Sequence, residues 1–291
     1  MQNTQLLVSG VLQGSLYALV AVGMMVVLRT TGVINFGHPA LILVGAYTVH
    51  VVSRGIGAPY AVAVVVAGLI GVAAGSAFHG ATVVAGERSA ILPRVLATLA
   101  LSSVIGGVVT AIWGRNPVAV PSALANRRIQ LGEVVINGQM ILTLGVAAVV
   151  MAALALFFAR SVWGLALTAA EQSAAGAGYV GIPINRADAF AWAIGGSTAA
   201  IAGALFAPLD VVTPDFGADL LVKAFAAVVL AGLSSTWGAL AGSLVLGVTE
   251  SFTAYHASDY VVATSFVVVA VVVLIAPGGI LSRQAFARVA R

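Results

Sequence analysis

Residues 134–159 read VVINGQMILTLGVAAVVMAALALFFA, a stretch without a charged side chain, bounded by Glu133 and Arg160. A helix needs about 20 mostly apolar residues to cross a bilayer, because its backbone must satisfy its own hydrogen bonds inside hydrocarbon. This stretch meets that requirement, and seven other charge-free runs share its character: 1–28, 30–53, 55–86, 95–114, 189–209, 224–249 and 260–282. Between them sit only Arg29, Arg54 and the charged boundaries Glu87 to Arg94, Arg115 to Glu133, Arg160 to Asp188, Asp210 to Lys223 and Glu250 to Asp259.

Composition agrees with that reading. Of 291 residues, 61% are hydrophobic and 8% charged, against roughly 25% charged in an average soluble domain. So few charges exclude a water-facing surface for most of the chain. The absence of cysteine excludes disulfides, thiolate metal sites and cysteine nucleophiles. The net charge of +4 comes with a single lysine and with arginines scattered between apolar runs, a pattern that encodes membrane orientation and not a nucleic-acid partner. The first 28 residues carry no charge, so they lack the basic n-region of a cleaved signal and read as a retained helix.

Catalytic signatures are missing. There is no His-Glu-x-x-His and no Gly-x-Ser-x-Gly, and the four histidines, His38, His50, His79 and His256, are far apart. No catalytic residue, metal site or cofactor is therefore expected. A Walker A pattern is also missing, so any ATP that drives this chain binds to another subunit. The Gly176-x-Gly178-x-x-Gly181 match lies between two membrane runs and not after a strand, and is read as chance.

Orientation follows from the arginines, since short cytoplasmic loops are enriched in basic residues. With Arg29, Arg88, Arg94, Arg160 and Arg186 inside, the N-terminus is outside, and Asp210, Asp215 and Asp219 fall outside too. Eight plain crossings would then leave the tail, with Arg283, Arg288 and Arg291, outside as well, against the rule. One run must be crossed differently. The candidate is 224–249, whose middle reads Gly232-Leu233-Ser234-Ser235-Thr236-Trp237-Gly238. Two half-length segments there return the chain and place the tail inside. Broken helices at membrane depth occur where they are buried in protein or line a water-filled path; the alternative is one helix with small residues for close packing, as in Gly71-x-x-x-Gly75 and Gly238-x-x-x-Gly242. The expected fold is an all-α polytopic bundle of 8–10 membrane segments, broken or re-entrant near 224–249, in one domain spanning 1–291. The polar excursion 114–133 reads as an external loop with a short interfacial segment.

Polar residues inside such a chain are functional candidates by default. Asn35 and His38 are candidates for lining the translocation path, for gating its inner mouth or for capping a helix, and Ser234, Ser235 and Thr236 offer hydroxyls at the break. Lys223 is expected to pair with Asp219 or to snorkel, and Glu250 to close the broken segment at an interface. Every Asp and Glu reads as lying outside or at the edge of an apolar run. The loop 161–186 carries a Glu/Ala-rich stretch able to form a short helix ending at Gly181, with Pro183 beyond it.

That loop resembles the coupling region of binding-protein-dependent ABC importer permeases, a Glu/Ala-rich stretch followed by Gly-Ile. Two further blocks are similar to the branched-chain amino-acid permeases of the LivH type: Gly14 to Leu19 leading to Thr31-Gly-Val-Ile-Asn-Phe-Gly-His38 and Gly45-Ala-Tyr47, and Lys223-Ala-Phe225 to Gly232 followed by Gly238, Gly242, Gly247 and Glu250. The family usually has Asn-Phe-Ala-His-Gly where this chain has Gly37 and Pro39, and a proline there bends or starts a helix.

The resemblance implies a permease subunit of an ATP-driven importer in a bacterial inner membrane. It also implies ABC ATPases docking on Glu171, Ala175, Gly181 and Ile182 from the cytoplasm, a second similar permease subunit, and an extracytoplasmic solute-binding protein that delivers branched-chain or other hydrophobic amino acids. The rival reading is a self-contained secondary transporter or channel for a small polar solute.

Overall fold

The computed structural model describes residues 2–87, 90–120, 122, 124, 128–131, 134–232 and 236–275. The described chain is helical apart from one hairpin. In order it forms α1 (Gln2–Thr31), α2 (His38–His50) continued by a π-turn (Val51–Gly55), α3 (Tyr60–Ala85), α4 (Ile91–Trp113), β1 (Arg128–Leu131), β2 (Val134–Asn137) and α5 (Gly138–Arg160). There follow α6 (Val162–Gln172), α7 (Ala174–Tyr179), α8 (Ile184–Phe206), α9 (Phe216–Ala231), α10 (Thr236–His256), a 3₁₀ turn (Ser258–Tyr260) and α11 (Val261–Ile275).

Five of these, α1, α3, α4, α5 and α8, are long and apolar enough to cross a membrane, and α9 with α10 forms a broken pair whose direction turns by 118°. The break falls in the run where the charge argument requires one. The fold is the all-α polytopic bundle that the apolar runs imply. α1 and α8 are mostly buried, whereas α4 and α5 are mostly exposed, with Leu92, Leu96, Val104, Val108, Val149 and Leu156 turned outward. Outward apolar side chains suit lipid, where such faces need no polar cover.

Two ends of the bundle are distinguishable. At one, Gln5 of α1 exchanges two hydrogen bonds with the backbone of Val135 in β2 (3.3 and 2.9 Å), and Ser251 of α10 donates to the Leu6 carbonyl at 2.9 Å. At the other, Arg29 of α1 pairs with Glu171 of α6. Residues 128–131 of the polar excursion pair with the first four residues of the run 134–159 as the antiparallel hairpin β1–β2, registered from Arg128 opposite Asn137 to Leu131 opposite Val134, so the helix of that run starts only at Gly138. Val118 also bridges Val212, which ties this end to the turn before α9.

Lipid supplies little hydrophobic drive between helices, so close packing holds them together. The α3–α8 seam shows this. A Cβ on Gly75 would collide with the Trp192 carbonyl, and one on Gly196 with the Gly71 carbonyl, so glycine on both sides sets the interhelical distance. Gly71 and Gly75 therefore serve packing, and Gly242, with the Ala227 carbonyl against it, does the same between α9 and α10.

Candidate functional site

The loop 161–186 folds into two short helices instead of one. Ser161 caps α6 by accepting from the Gly164 amide at 2.8 Å. Ser173, in an extended conformation, caps α7 by accepting from Gly176 at 3.0 Å. An N-cap in the middle of the stretch breaks one helix and starts the next. α7 ends at Tyr179, earlier than the expected stop at Gly181. Gly181 then adopts φ +87°, which glycine tolerates without steric cost, and the Ile182 amide closes the turn on the Ala177 carbonyl at 3.0 Å.

α6 turns Gly164, Leu167 and Ala170 inward and leaves Val162 and Leu165 exposed. Tyr179 and Val180 are also exposed, as are Ala175 and Gly181, while Ile182 is half-buried and packs beneath them. Of the expected coupling residues, Ala175 and Gly181 are thus exposed, while Ile182 packs against the buried cluster. Glu171 does not face outward freely: it is tied to Arg29, and both side chains are largely covered. Partial burial pushes the Glu171 carboxyl above its ordinary range, and the Arg29 guanidinium pulls it back. The sequence reading used Arg29 only as an orientation marker and missed this link.

Asn35 and His38 come together in the α1–α2 connection. The Asn35 Oδ1 accepts from the Gly37 amide at 2.8 Å, a local turn typical of asparagine, and its Nδ2 lies 2.9 Å from His38 Nδ1. An amide nitrogen only donates, so His38 Nδ1 accepts and its Nε2 carries the hydrogen. Both residues are buried, and Nε2 has no hydrogen-bond partner among the described residues. Pro39 falls in the first turn of α2, where its missing amide hydrogen costs nothing. Asn35 also borders a cavity between this connection, α9 and α11.

At the broken pair, Gly232 adopts φ +75° after α9. Ser234 and Ser235 lie outside the described residues, and Thr236 opens α10 partly buried. Two charges meet above the break. Lys223 of α9 pairs with Glu250 of α10 at 2.5 Å, so its partner is Glu250 and not the expected Asp219. The Tyr17 hydroxyl of α1 donates to the other Glu250 oxygen at 2.6 Å, and Lys223 stands 5.5 Å over the Tyr17 ring.

Glu250 is 2% exposed and Asp188 5%, which corrects the expectation that every acid lies at or beyond an edge. The reason is helical continuity: α10 runs on to His256 past the end of the charge-free run. The opposite signs of Lys223 and Glu250 on consecutive segments were the available signal. Near the α6 end, the buried Arg94 and Asp188 both act electrostatically on His79 of α3. No cluster of three or more metal-ligating side chains occurs among the described residues.

Comparison with known proteins agrees with this architecture. Residues 6–277 match the family model described as "Branched-chain amino acid transport system / permease component". The chain is 31% identical to the high-affinity branched-chain amino acid transport system permease protein LivH of Escherichia coli (strain K12), over 96% of this chain and 95% of that one. It is also 31% identical to the corresponding BraD of Pseudomonas aeruginosa, with the same coverage. Among solved structures, "PsaBC from Streptococcus pneumoniae in complex with Fab" shares the fold at 18% identity and a TM-score of 0.50, covering 93% of this chain and 91% of that one. This chain belongs to the family of branched-chain amino acid transport system permease components.

Proposed function

We propose that the chain is the membrane permease subunit of an ATP-driven importer of branched-chain or other hydrophobic amino acids. In this reading, cytoplasmic ABC ATPases dock on α6–α7, a second similar permease subunit completes the path, and an extracytoplasmic solute-binding protein delivers the substrate to the hairpin end. The N-terminus lies outside and the C-terminus in the cytoplasm of a bacterial inner membrane. The observation that carries this is the exposure of four apolar side chains, Val162 and Leu165 on α6 and Tyr179 and Val180 at the end of α7, with α6 tied to α1 through Glu171 and Arg29.

The geometry supplies a mechanical route. A push on α6 reaches α1 through the ion pair, and α1 reaches the broken pair through Tyr17, Glu250 and Lys223. The chemistry of ATP stays on the ATPase, and this chain converts its closure into movement. Affinity purification of the tagged chain from its native membrane tests the reading. A Walker-A ATPase is expected to co-purify and to be lost from a Tyr179→Asp, Val180→Asp variant; an ATPase that never co-purifies argues against it.

One observation favours the secondary-transporter reading: Glu250 is a buried carboxylate of the kind that ion coupling uses. Its pairing with Lys223 neutralises it in this state. Uptake that proceeds without ATP would establish that alternative.

A further inference from the structure

Lys223 is the chain's one lysine, and it sits where a charge inside the bundle needs a reason. Its partner Glu250 is held from the far side by the Tyr17 hydroxyl. The two charges differ in access, since the Glu250 side chain is 2% exposed and that of Lys223 24%. One is fixed, and the other is reachable. A cavity of about 360 Å³ lies between α9, α11 and the α1–α2 connection, walled mainly by apolar side chains, Met24, Leu221, Phe225 and Phe266 among them, with Asn35 and Ser265 as its polar lining. Ala226 and Val269 border this cavity and also pack in the cluster around Tyr17, the residue whose hydroxyl holds Glu250, and Lys223 follows the cavity-lining Val222 on α9.

We propose that Lys223 and Glu250 form a transit site for an aliphatic amino-acid zwitterion: the pair opens, the ligand carboxylate takes Lys223, its ammonium takes Glu250, and its side chain enters the cavity. This rests on the importer reading and names the residues that handle its substrate. An ion pair in apolar surroundings is the complement of a zwitterion, because exchanging partners leaves no charge unpaired before or after. A ligand with only one charge strands Lys223 or Glu250, and stranding a buried charge is costly. Tyr17 keeps Glu250 in place during the exchange. Asp219, one helical turn before Lys223 and within electrostatic reach of Tyr17, adds negative charge near the ammonium.

A lone lysine allows a direct test on the wild-type complex, co-purified with its ATPase and held in lipid nanodiscs. Acetic anhydride acylates Lys223, and mass spectrometry reads the rate at that residue relative to the lysines of the co-purified ATPase in the same sample, so that reagent consumed by an added amine cancels. L-leucine is expected to slow the reaction at least fivefold. The one-charge analogues 3-methylbutylamine and 4-methylpentanoate are expected to leave it unchanged. A rate that leucine does not alter, or that either analogue slows as much, overturns the proposal.

The double variant Lys223→Met, Glu250→Gln gives a second readout in vesicles. Leucine uptake is expected to fall at least tenfold; uptake within twofold of wild type overturns the site. A variant that does not assemble leaves the decision to the acylation result. Wild-type uptake that ignores ATP would instead sink the importer reading, and leucine protection of Lys223 would survive it.

Discussion

Arg29, in the last turn of the most buried long helix, forms an ion pair with Glu171 of α6, so charged side chains link the interior of the bundle to the α6–α7 surface. Both side chains keep some access to water, 25% for Arg29 and 21% for Glu171, and pairs of this kind contribute about 0–1 kcal/mol to stability. The pair is suited to transmitting movement and adds little to holding the fold.

Arg29→Gln is therefore expected to leave the melting temperature within about 2 °C of wild type, to retain the co-purifying ATPase, and to cut ATP-driven uptake severalfold. The exchange Arg29→Glu with Glu171→Arg is expected to recover part of that uptake. Uptake assays on the singles and the exchange check this.

The same pair gives a pH dependence. Burial raises the Glu171 carboxyl above the ordinary glutamate range, against the smaller opposing effect of Arg29. Glu171 thus takes up its proton at a higher pH than an exposed glutamate, and the ion pair is lost as pH falls through that value. The folded state binds this proton more tightly than the unfolded chain, so this group's contribution to stability falls as pH rises. Coupled uptake should decline on the acid side without unfolding, and Glu171→Gln should flatten that limb.

At the α3–α8 seam, Gly196→Val drives a side chain into the Gly71 carbonyl and is expected to destabilise by about 1–3 kcal/mol or more. Gly107→Ala on α4 meets nothing within 4 Å and should stabilise by about 0.8–1 kcal/mol. Thermal unfolding in detergent compares the two.

Removing Lys223 leaves the buried Glu250 carboxylate without its counter-charge, held only by the Tyr17 hydroxyl. Lys223→Met is expected to cost about 3–5 kcal/mol, with most of that restored by adding Glu250→Gln. Stability of the two singles and the double measures the coupling.

Asn35→Ala removes the acceptor for the Gly37 amide and the donor to His38 Nδ1. Leaving buried polar groups unpaired costs about 1–3 kcal/mol each, so the variant should unfold at a clearly lower temperature, whereas Asn35→Asp keeps the turn acceptor and should lose less.

Much of the fold was legible because lipid imposes a coarse rule: charge-free runs long enough to span. The arginine pattern called for one run to be crossed differently, and the polar, glycine-containing middle of 224–249 pointed to the place where α9 and α10 break. Legibility failed where contact partners come from distant segments. Tyr17 and Glu250 are 233 positions apart, and no local pattern joins them; Glu250 looked like a boundary because its run ended one residue earlier. Glu171 was singled out, but its tie to Arg29 depends on how α6 folds under α1. The hairpin β1–β2 was hidden because its four-residue strands are too short for an alternating pattern to register and because β2 opens a charge-free run that reads as one helix. Asn35 and His38 were picked out as polar intruders, and their spacing of three already placed them within one turn.

The most direct test of the central claim is solute accumulation in vesicles containing the co-purified complex, with a leucine-loaded binding protein outside and ATP either trapped inside or absent. Accumulation against a gradient only when hydrolysable ATP is present, and lost with Tyr179→Asp, Val180→Asp, is the expected result. Equal transport without ATP, by the chain free of any ATPase, would contradict the account.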